Sequence, residues 1–179
     1  MDHTEAIVQI NNVVDKSLCN KLIEFTEQKA KTQMKIGKNK SNKEIRNVLG
    51  YTLKIKDKSI FNKINNEIQK LYVFYKIKFP KMHSTKINQI DLLKYKVGGK
   101  YEIHTDNATM TNRHLSIIIN LNDDYEGGDL IFTDQKHNEI KKLKLGKGSI
   151  VFFPSNFMYP HIIKPITKGT RYSIVAWLQ

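Results

Sequence analysis

The chain has 179 residues, of which 40% are hydrophobic and 26% are charged, and its formal net charge is +13 at pH 7. A chain of this length fits one domain and buries about 70% of its unfolded surface, so it can form a core unaided. The sequence lacks the roughly 18 successive apolar residues of a membrane span, a secretory signal at its start, and any cysteine besides Cys19 that could form a disulfide. We therefore expect one cytoplasmic domain over residues 1–179, without a membrane partner, as a monomer or weak dimer.

The N-terminal part of the chain predicts helices with one short strand. Residues 6–10 predict the strand, and Asp15 or Ser17 is expected to cap the first helix. Residues 30–46 are polar and lack periodicity, which predicts a loop. The second helix is expected to begin at Ser59 and to end before the next proline. The apolar faces of the two helices are Leu18, Leu22 and Phe25, and Phe61, Ile64, Ile68 and Leu71.

The C-terminal part of the chain predicts strands. Short runs rich in β-branched residues are separated by Gly, Asn, Asp and Pro, which is typical of a β-sandwich or barrel. We therefore expect a helical support region over about 1–85 and a β core over about 86–179. The predicted strands are 87–95, 115–121, 129–132, 139–145, 149–153 and 171–178.

Three polar residues of the β region have the chemistry of an iron site. His104 and Asp106 are separated by one residue, so in an extended segment both point to the same side. His161 follows 55 positions after Asp106, at the end of an apolar run that predicts a buried strand and a turn. Two imidazoles and one carboxylate can occupy one face of a ferrous ion and leave the other positions open.

Arg171 opens the last predicted strand and shares a face with Ser173, Val175 and Trp177. A cation on an otherwise apolar strand face is costly unless an anion pairs with it. Since the sequence near Arg171 supplies no anion, this residue is a candidate for binding an anionic ligand.

Four parts of the sequence resemble the 2-oxoglutarate- and Fe(II)-dependent dioxygenases, and within them most closely the prolyl 4-hydroxylases, including the oxygen-sensing type. These parts are LKYKVGGKYEIHTD (93–106), LNDDYEGGDL (121–130), Phe153-Pro154 with His161, and GTRYSIVAW (169–177). The resemblance implies a double-stranded β-helix, a cupin-like jelly roll, with the N-terminal helices packed on it. It also implies that the loop at 30–46 is a candidate lid over substrate.

The resemblance assigns the metal ligands and the co-substrate site residue by residue. His104, Asp106 and His161 would bind Fe(II), and Arg171 would bind the distal carboxylate of 2-oxoglutarate, for which a planar guanidinium suits a two-point contact. Oxygen would be the second co-substrate, and ascorbate is the expected reductant.

Five further residues are assigned by the same resemblance. Tyr95 and Tyr101 match tyrosines near the co-substrate, and Asn120 stands where the oxygen-sensing enzymes have a tyrosine that binds the distal carboxylate. Arg113 and Trp177 match an arginine and a tryptophan at the substrate.

The function implied is hydroxylation of an unactivated carbon, with a prolyl residue of a peptide or protein as the favoured acceptor and with release of succinate and CO2. Two alternatives use the same fold: a hydroxylase of another amino acid and a nucleic-acid-modifying dioxygenase. The resemblance disfavours the second, because nucleic-acid demethylases of this superfamily usually have a second arginine shortly after the co-substrate arginine, and no arginine follows Arg171. An alternative of another class is a binding module that has lost turnover.

The basic charge suggests a different partner, nucleic acid. Lysine supplies 27 of the 30 basic residues, and many lie between Lys29 and Lys58. Basic surfaces attract phosphates, but residues 29–50 contain no aromatic side chain on which bases could stack. We therefore interpret the charge mainly as solvated surface, and nucleic acid as a partner that is not favoured.

Overall fold

The computed structural model describes residues 2–36, 41–84, 86–107 and 112–179. The helices are α1 (Lys16–Lys29) and α2 (Lys58–Lys78), with short 3-10 helices at His3–Ala6 and Ile55–Asp57. The strands are β1 (Val8–Ile10), β2 (Thr32–Gln33), β3 (Arg46–Asn47), β4 (Leu49–Thr52), β5 (Ile87–Tyr95), β6 (Lys100–His104), β7 (Leu115–Asn120), β8 (Glu126–Gly127), β9 (Leu130–Thr133), β10 (Glu139–Leu143), β11 (Ile150–Pro154), β12 (His161–Ile163), β13 (Ile166–Lys168) and β14 (Arg171–Leu178).

The strands form two main antiparallel sheets, and a minor pair joins β13 to β8. The larger sheet has seven strands in the order β1-β11-β7-β14-β5-β4-β2, and the smaller has five in the order β10-β9-β12-β6-β3. Neighbours in these orders are frequently distant in sequence, so the sheets are tied together by long-range pairing. The prediction of a mainly β protein with flanking helices is therefore correct at the level of its elements.

The seven-stranded sheet is covered on both faces. Its outer face packs against the two helices, where Leu22, Ile64 and Ile68 meet Ile117 and Ile174. Its inner face meets the five-stranded sheet in a second core. That core contains Leu93, Ile118, Val151 and Phe153 from the larger sheet and Leu130, Phe132 and Ile163 from the smaller one. All six residues of β7 are buried, because this central strand has an apolar layer on each side.

The helices begin where the sequence indicates. The Asp15 carboxylate accepts hydrogen bonds from the backbone N–H groups of Ser17 and Leu18 and so caps α1. At the N-terminus the strand is shorter than predicted, since residues 3–6 form a 3-10 helix and β1 begins at Val8.

The loop predicted over 30–46 contains regular structure. Thr32 and Gln33 form β2, which pairs with Gly50 and Leu49 of β4, and Arg46 begins β3. Part of the candidate lid, residues 37–40, lies outside the described residues. Among the residues that the structure describes, no helix combines the length and the apolar character needed to cross a bilayer.

Candidate metal centre and co-substrate pocket

The three predicted metal ligands meet at one end of the five-stranded sheet. Strand β12 pairs antiparallel with β6 so that His161 lies directly opposite His104, and Asp106 follows β6 by two residues. The Nε2 atom of His104 lies 3.6 Å from Oδ1 of Asp106, and Nε2 of His161 lies 3.9 Å from Oδ2. The three ligand atoms all lie within 4.8 Å of one another, so one ion could contact all of them.

Hydrogen bonding fixes which nitrogen of each imidazole faces the centre. Nδ1 of His104 lies 2.8 Å from the Glu102 carbonyl oxygen, and Nδ1 of His161 lies 3.1 Å from the Tyr159 carbonyl oxygen. A carbonyl can only accept, so in both rings Nδ1 carries the proton and donates it. Nε2 of each neutral ring therefore presents a lone pair towards Asp106, as metal ligation requires.

The electrostatics favour neutral His161 and ionised Asp106. Burial lowers the pKa of His161 to about 4, with the neighbouring His104 acting in the same direction. Burial alone would raise the pKa of Asp106, but His161 and His104 and a hydrogen bond from Ser116 outweigh it and hold that pKa well below its usual range. The donor set is two imidazoles and one carboxylate, which fits a ferrous ion.

Arg171 lies in the same cavity and has unused hydrogen-bonding capacity. It is 1% exposed, and β14 places it opposite Tyr95 of β5. Its Nε donates to Oδ1 of Asn120 at 3.0 Å, while its two terminal nitrogens are buried and have no hydrogen-bond partner in the part of the chain that the structure describes. A buried guanidinium with four unpaired N–H bonds requires an anion, and a carboxylate matches its geometry.

Asn120 is held from several sides. Its Nδ2 donates to the backbone oxygens of Asn122 at 2.6 Å and Leu145 at 2.9 Å, and its Oδ1 accepts from Arg171 and, at 3.3 Å, from the Tyr125 hydroxyl. The amide hydrogens are thus engaged within the protein, so the contact of Asn120 with the pocket runs through Arg171.

The remaining predicted residues also line this cavity, which has a volume of about 890 Å³. Tyr101 stacks on His104 with ring centroids 3.5 Å apart, and the Tyr95 ring lies 5.5 Å from the Arg171 guanidinium carbon. The Arg113 guanidinium lies 3.6 Å from the Trp177 ring centroid and donates to the Asp106 backbone oxygen at 3.1 Å.

Two residues at this site, Ser116 and Arg46, were not predicted from the sequence. Ser116 hydrogen-bonds the Asp106 carboxylate and is itself 2.7 Å from the Ser155 hydroxyl. Arg46 lies over the Tyr101 ring at 4.6 Å and lines the cavity. The composition offered one indication of Arg46, since it is one of only three arginines in a lysine-rich chain. In the structure all three arginines line this cavity.

A sequence model of the 2OG-Fe(II) oxygenase superfamily matches residues 90–179, half of the chain, including every strand that carries a candidate ligand. A PKHD-type hydroxylase from Idiomarina loihiensis is 28% identical over 102 residues, which are 55% of this chain and 45% of that protein. A PKHD-type hydroxylase from Prochlorococcus marinus is 30% identical over 123 residues, which are 66% and 52%. The chain thus spans about half the length of the curated relatives it matches.

The fold is similar to that of solved prolyl hydroxylases. A prolyl hydroxylase from Trichoplax adhaerens, in complex with a hypoxia inducible factor peptide, matches with a TM-score of 0.81 at 18% identity, over 98% of this chain and 84% of that one. A Pseudomonas putida prolyl-4-hydroxylase matches with 0.79 at 17% identity, over 97% and 92%. The likeness confirms the predicted jelly-roll core with N-terminal helices packed on it. Together with the superfamily match over the β region, it leads to one assignment: the chain belongs to the 2OG-Fe(II) oxygenase superfamily.

Proposed function

We propose that the chain is an Fe(II)- and 2-oxoglutarate-dependent oxygenase domain that hydroxylates a prolyl residue in a peptide or protein. One observation carries the proposal: two imidazoles and a carboxylate share a cavity with a buried arginine whose terminal nitrogens have no partner among the described residues. This arrangement supports a metal centre and an anion receptor side by side, as this family's chemistry requires.

In this proposal His104, Asp106 and His161 hold Fe(II) through Nε2, a carboxylate oxygen and Nε2. The bound iron, with 2-oxoglutarate and oxygen, supplies the oxidising power that inserts one oxygen atom into a C–H bond and the other into succinate, with loss of CO2. The protein orients the partners and excludes water from a cavity in which both His161 and Arg171 are almost fully buried.

Arg171 receives the distal carboxylate of 2-oxoglutarate with its two terminal nitrogens, and Asn120 fixes the guanidinium by accepting from Nε. Tyr95, opposite Arg171, offers a hydroxyl to the same ligand. Burial raises the pKa of the Tyr95 phenol, so it stays protonated and donates. Tyr101 packs on the His104 ring and holds its orientation.

The acceptor enters at the opposite end of the cavity. Along β14 and β5, Trp177 pairs with Gln89 six positions from the Arg171–Tyr95 pair, which separates the two ends by roughly 20 Å. At this far end the indole N–H of Trp177 and the Nε of Arg113 are buried and have no partner among the described residues, so both can donate to an acceptor's carbonyl oxygens. The solved relative with a bound peptide supports a polypeptide acceptor.

The test is succinate production by the purified chain with Fe(II), ascorbate, 2-oxoglutarate and oxygen, with and without a library of proline-containing peptides. Peptide-stimulated turnover with a gain of one oxygen atom on proline supports the proposal. Turnover that places the oxygen on another residue keeps the oxygenase and rejects the prolyl acceptor. Bound iron without turnover on any substrate favours a binding module.

A matched pair of histidine variants tests the metal ligands. His161→Ala removes a proposed ligand and should abolish iron-dependent turnover and weaken Fe(II) binding. His3→Ala removes an exposed histidine of the N-terminal 3-10 helix and serves as the control. Normal turnover in His161→Ala would remove that residue from the proposed centre.

A further inference from the structure

The charges that line the cavity are unbalanced. Two carboxylates, Asp91 and Asp106, face six cations: Lys29, Lys35, Arg46, Lys54, Arg113 and Arg171. Asp106 is the proposed metal ligand. Asp91 is 2% exposed and already accepts hydrogen bonds from the Thr52 hydroxyl at 2.7 Å and the Gln89 amide at 2.8 Å.

Four of these six cations form no ion pair with a carboxylate in the described part of the chain. Across the described residues, no Asp or Glu oxygen lies within 4.0 Å of the charged nitrogens of Lys29, Lys35, Arg46 or Lys54, whereas Lys94, Lys100, Lys142 and Lys168 have such partners. The positions outside the described residues cannot supply one, because all 17 Asp and Glu residues of the sequence fall inside them.

Arg46 has the most closely fixed position of these cations. Its guanidinium lies over Tyr101, whose ring stacks on His104, so it sits one aromatic ring away from a proposed metal ligand. One terminal nitrogen donates to the Lys35 backbone oxygen at 2.7 Å, which fixes the side chain, while its Nε is buried and has no partner within residues 2–36, 41–84, 86–107 and 112–179. A fixed guanidinium with unused donors suits a carboxylate better than a mobile lysine does.

We propose that the acceptor is an acidic polypeptide segment, in which an Asp or Glu close to the hydroxylated residue binds Arg46 while Lys35 and Lys54 attract further carboxylates. This inference rests on the proposed function for the identity of the cavity. It adds the charge of the acceptor, which neither the family nor the fold determines.

A nucleic acid would be attracted by the same charges, but the aromatic rings among the described lining residues are already covered or buried. Tyr101 lies between His104 and Arg46, Arg113 lies 3.6 Å from the Trp177 ring centroid, and Tyr95 is 3% exposed. The remaining ring, that of Tyr51, has the Lys54 ammonium 5.9 Å from its centroid and contacts Phe25 edge to face. Binding of single strands depends on bases stacking on open aromatic faces. The cavity therefore favours carboxylates on an extended polypeptide.

The experiment measures binding of fluorescein-labelled peptide pairs to the whole chain by anisotropy, at about 50 and about 300 mM NaCl. Each pair shares one proline and differs only in having Glu or Gln at the flanking positions. We expect the Glu peptides to bind about tenfold more tightly at low salt, with the difference shrinking at high salt. In Arg46→Gln the ratio of the two affinities should fall towards one.

Lys63→Gln is the matched control, because it removes one charge from an exposed position of α2, the helix on the other face of the seven-stranded sheet. It should leave the affinity ratio unchanged. Equal binding of Glu and Gln peptides to the wild-type chain would overturn the inference, as would an equal loss of discrimination in Lys63→Gln. An oligothymidylate that binds more tightly than the Glu peptides in an Arg46-dependent way would overturn it in favour of nucleic acid.

The binding assay separates the two proposals. If charge-dependent, Arg46-dependent binding is found but no peptide is hydroxylated, the proposed function fails and the acidic preference stands. If proline is hydroxylated with no influence of flanking charge, the inference fails and the proposed function stands.

Discussion

Arg171 combines a structural cost with a proposed function. Its terminal nitrogens are buried without partners among the described residues, so in the ligand-free protein only the hydrogen bond to Asn120 offsets the cost of desolvating the guanidinium. We expect Arg171→Met, which keeps the size of the side chain and removes the charge, to leave the melting temperature of the ligand-free protein unchanged or higher. The same variant should bind 2-oxoglutarate about 10- to 100-fold more weakly, since a charge-assisted pair is lost.

Calorimetric titration of 2-oxoglutarate in the presence of Mn(II) and without oxygen measures that affinity, and thermal unfolding measures the stability. Lys164→Met, at an exposed position, is the control for removal of one charge. Undiminished affinity in Arg171→Met would assign the distal carboxylate to another residue.

Ser116 acts on the metal through Asp106. Its hydroxyl donates to the Asp106 carboxylate and lies 2.7 Å from the Ser155 hydroxyl, all within the buried interior. Hydrogen bonds to a ligating carboxylate orient it, and their loss commonly costs about 10- to 100-fold in metal affinity. We expect Ser116→Ala to weaken Fe(II) binding by about tenfold, measured by metal titration under anaerobic conditions.

Ser149→Ala is the matched comparison, because Ser149 is an equally buried serine whose hydroxyl bonds Asn11 and not a ligand. An identical metal affinity in Ser116→Ala and wild type would mean that the histidines alone orient Asp106.

The sequence indicates the ligands but not what surrounds them. His104 and Asp106 can be predicted to share a side because alternation along a strand is a local rule. The role of Asn120 cannot, because its amide is engaged by carbonyl groups of residues 122 and 145, whose positions depend on how two turns pack. The hydrogen bond from Ser116 to Asp106 likewise joins residues on different segments, which no spacing rule reveals.

At the scale of elements, six strands of the β core were predictable, including the short and polar β10, which covers most of its predicted range of 139–145. Strands β5, β7, β11 and β14 match their predicted ranges to within about two residues, which is the usual precision of such boundaries. Strand β6 was not predicted, although its five residues alternate between polar and apolar side chains as strands do, and β12 has only three residues, which is too short to be recognised from sequence. His161 begins β12 instead of lying in a turn, and its pairing with β6 is what brings it to His104.

Asp57 links strand β4 to helix α2. Its carboxylate accepts from the Lys54 backbone N–H at 2.9 Å and from the Tyr51 hydroxyl at 2.8 Å. The hydrogen bond from the Lys54 backbone lowers the pKa of Asp57 most strongly. Burial opposes this effect by raising the pKa, and the hydrogen bond from Tyr51 lowers it further. We expect Asp57→Ala to reduce the free energy of unfolding by about 1 kcal/mol near neutral pH, because it removes the carboxylate of the capping box at the start of the 3-10 helix Ile55–Asp57.

The lowered pKa of Asp57 predicts how the stability difference between wild type and Asp57→Ala changes with pH. A carboxyl group whose pKa is lower in the folded than in the unfolded state stabilises the fold above the unfolded value of 3.8, and this contribution disappears as the pH falls through the folded value. The stability difference between wild type and Asp57→Ala should therefore be constant from about pH 5 to 7 and shrink below about pH 4. Denaturant unfolding at several pH values measures it, and a difference that grows on acidification would contradict the assignment.

At the scale of the whole molecule, the charge acts on folding and on binding in opposite ways. The chain carries 30 cationic and 17 acidic side chains. In the described part of the chain, four lysines have a carboxylate within 4.0 Å, so most lysines meet other cations at longer range. Such self-repulsion destabilises the compact state, and salt screens it.

We therefore expect the melting temperature to rise as NaCl increases from about 20 to about 200 mM, by roughly 2 to 4 °C if screening recovers about 1 kcal/mol. Chloride salts of sodium and potassium should act alike, because the effect depends on ionic strength, whereas sulfate also strengthens apolar burial and is avoided. Over the same range the affinity for an acidic peptide should fall, since screening weakens attraction as well as repulsion. A melting temperature that falls with salt would mean that attraction in the four ion pairs outweighs repulsion among the surplus lysines. The unpaired cations that line the cavity, Lys29, Lys35, Arg46 and Lys54, would then be the exception in a molecule whose charges stabilise its fold.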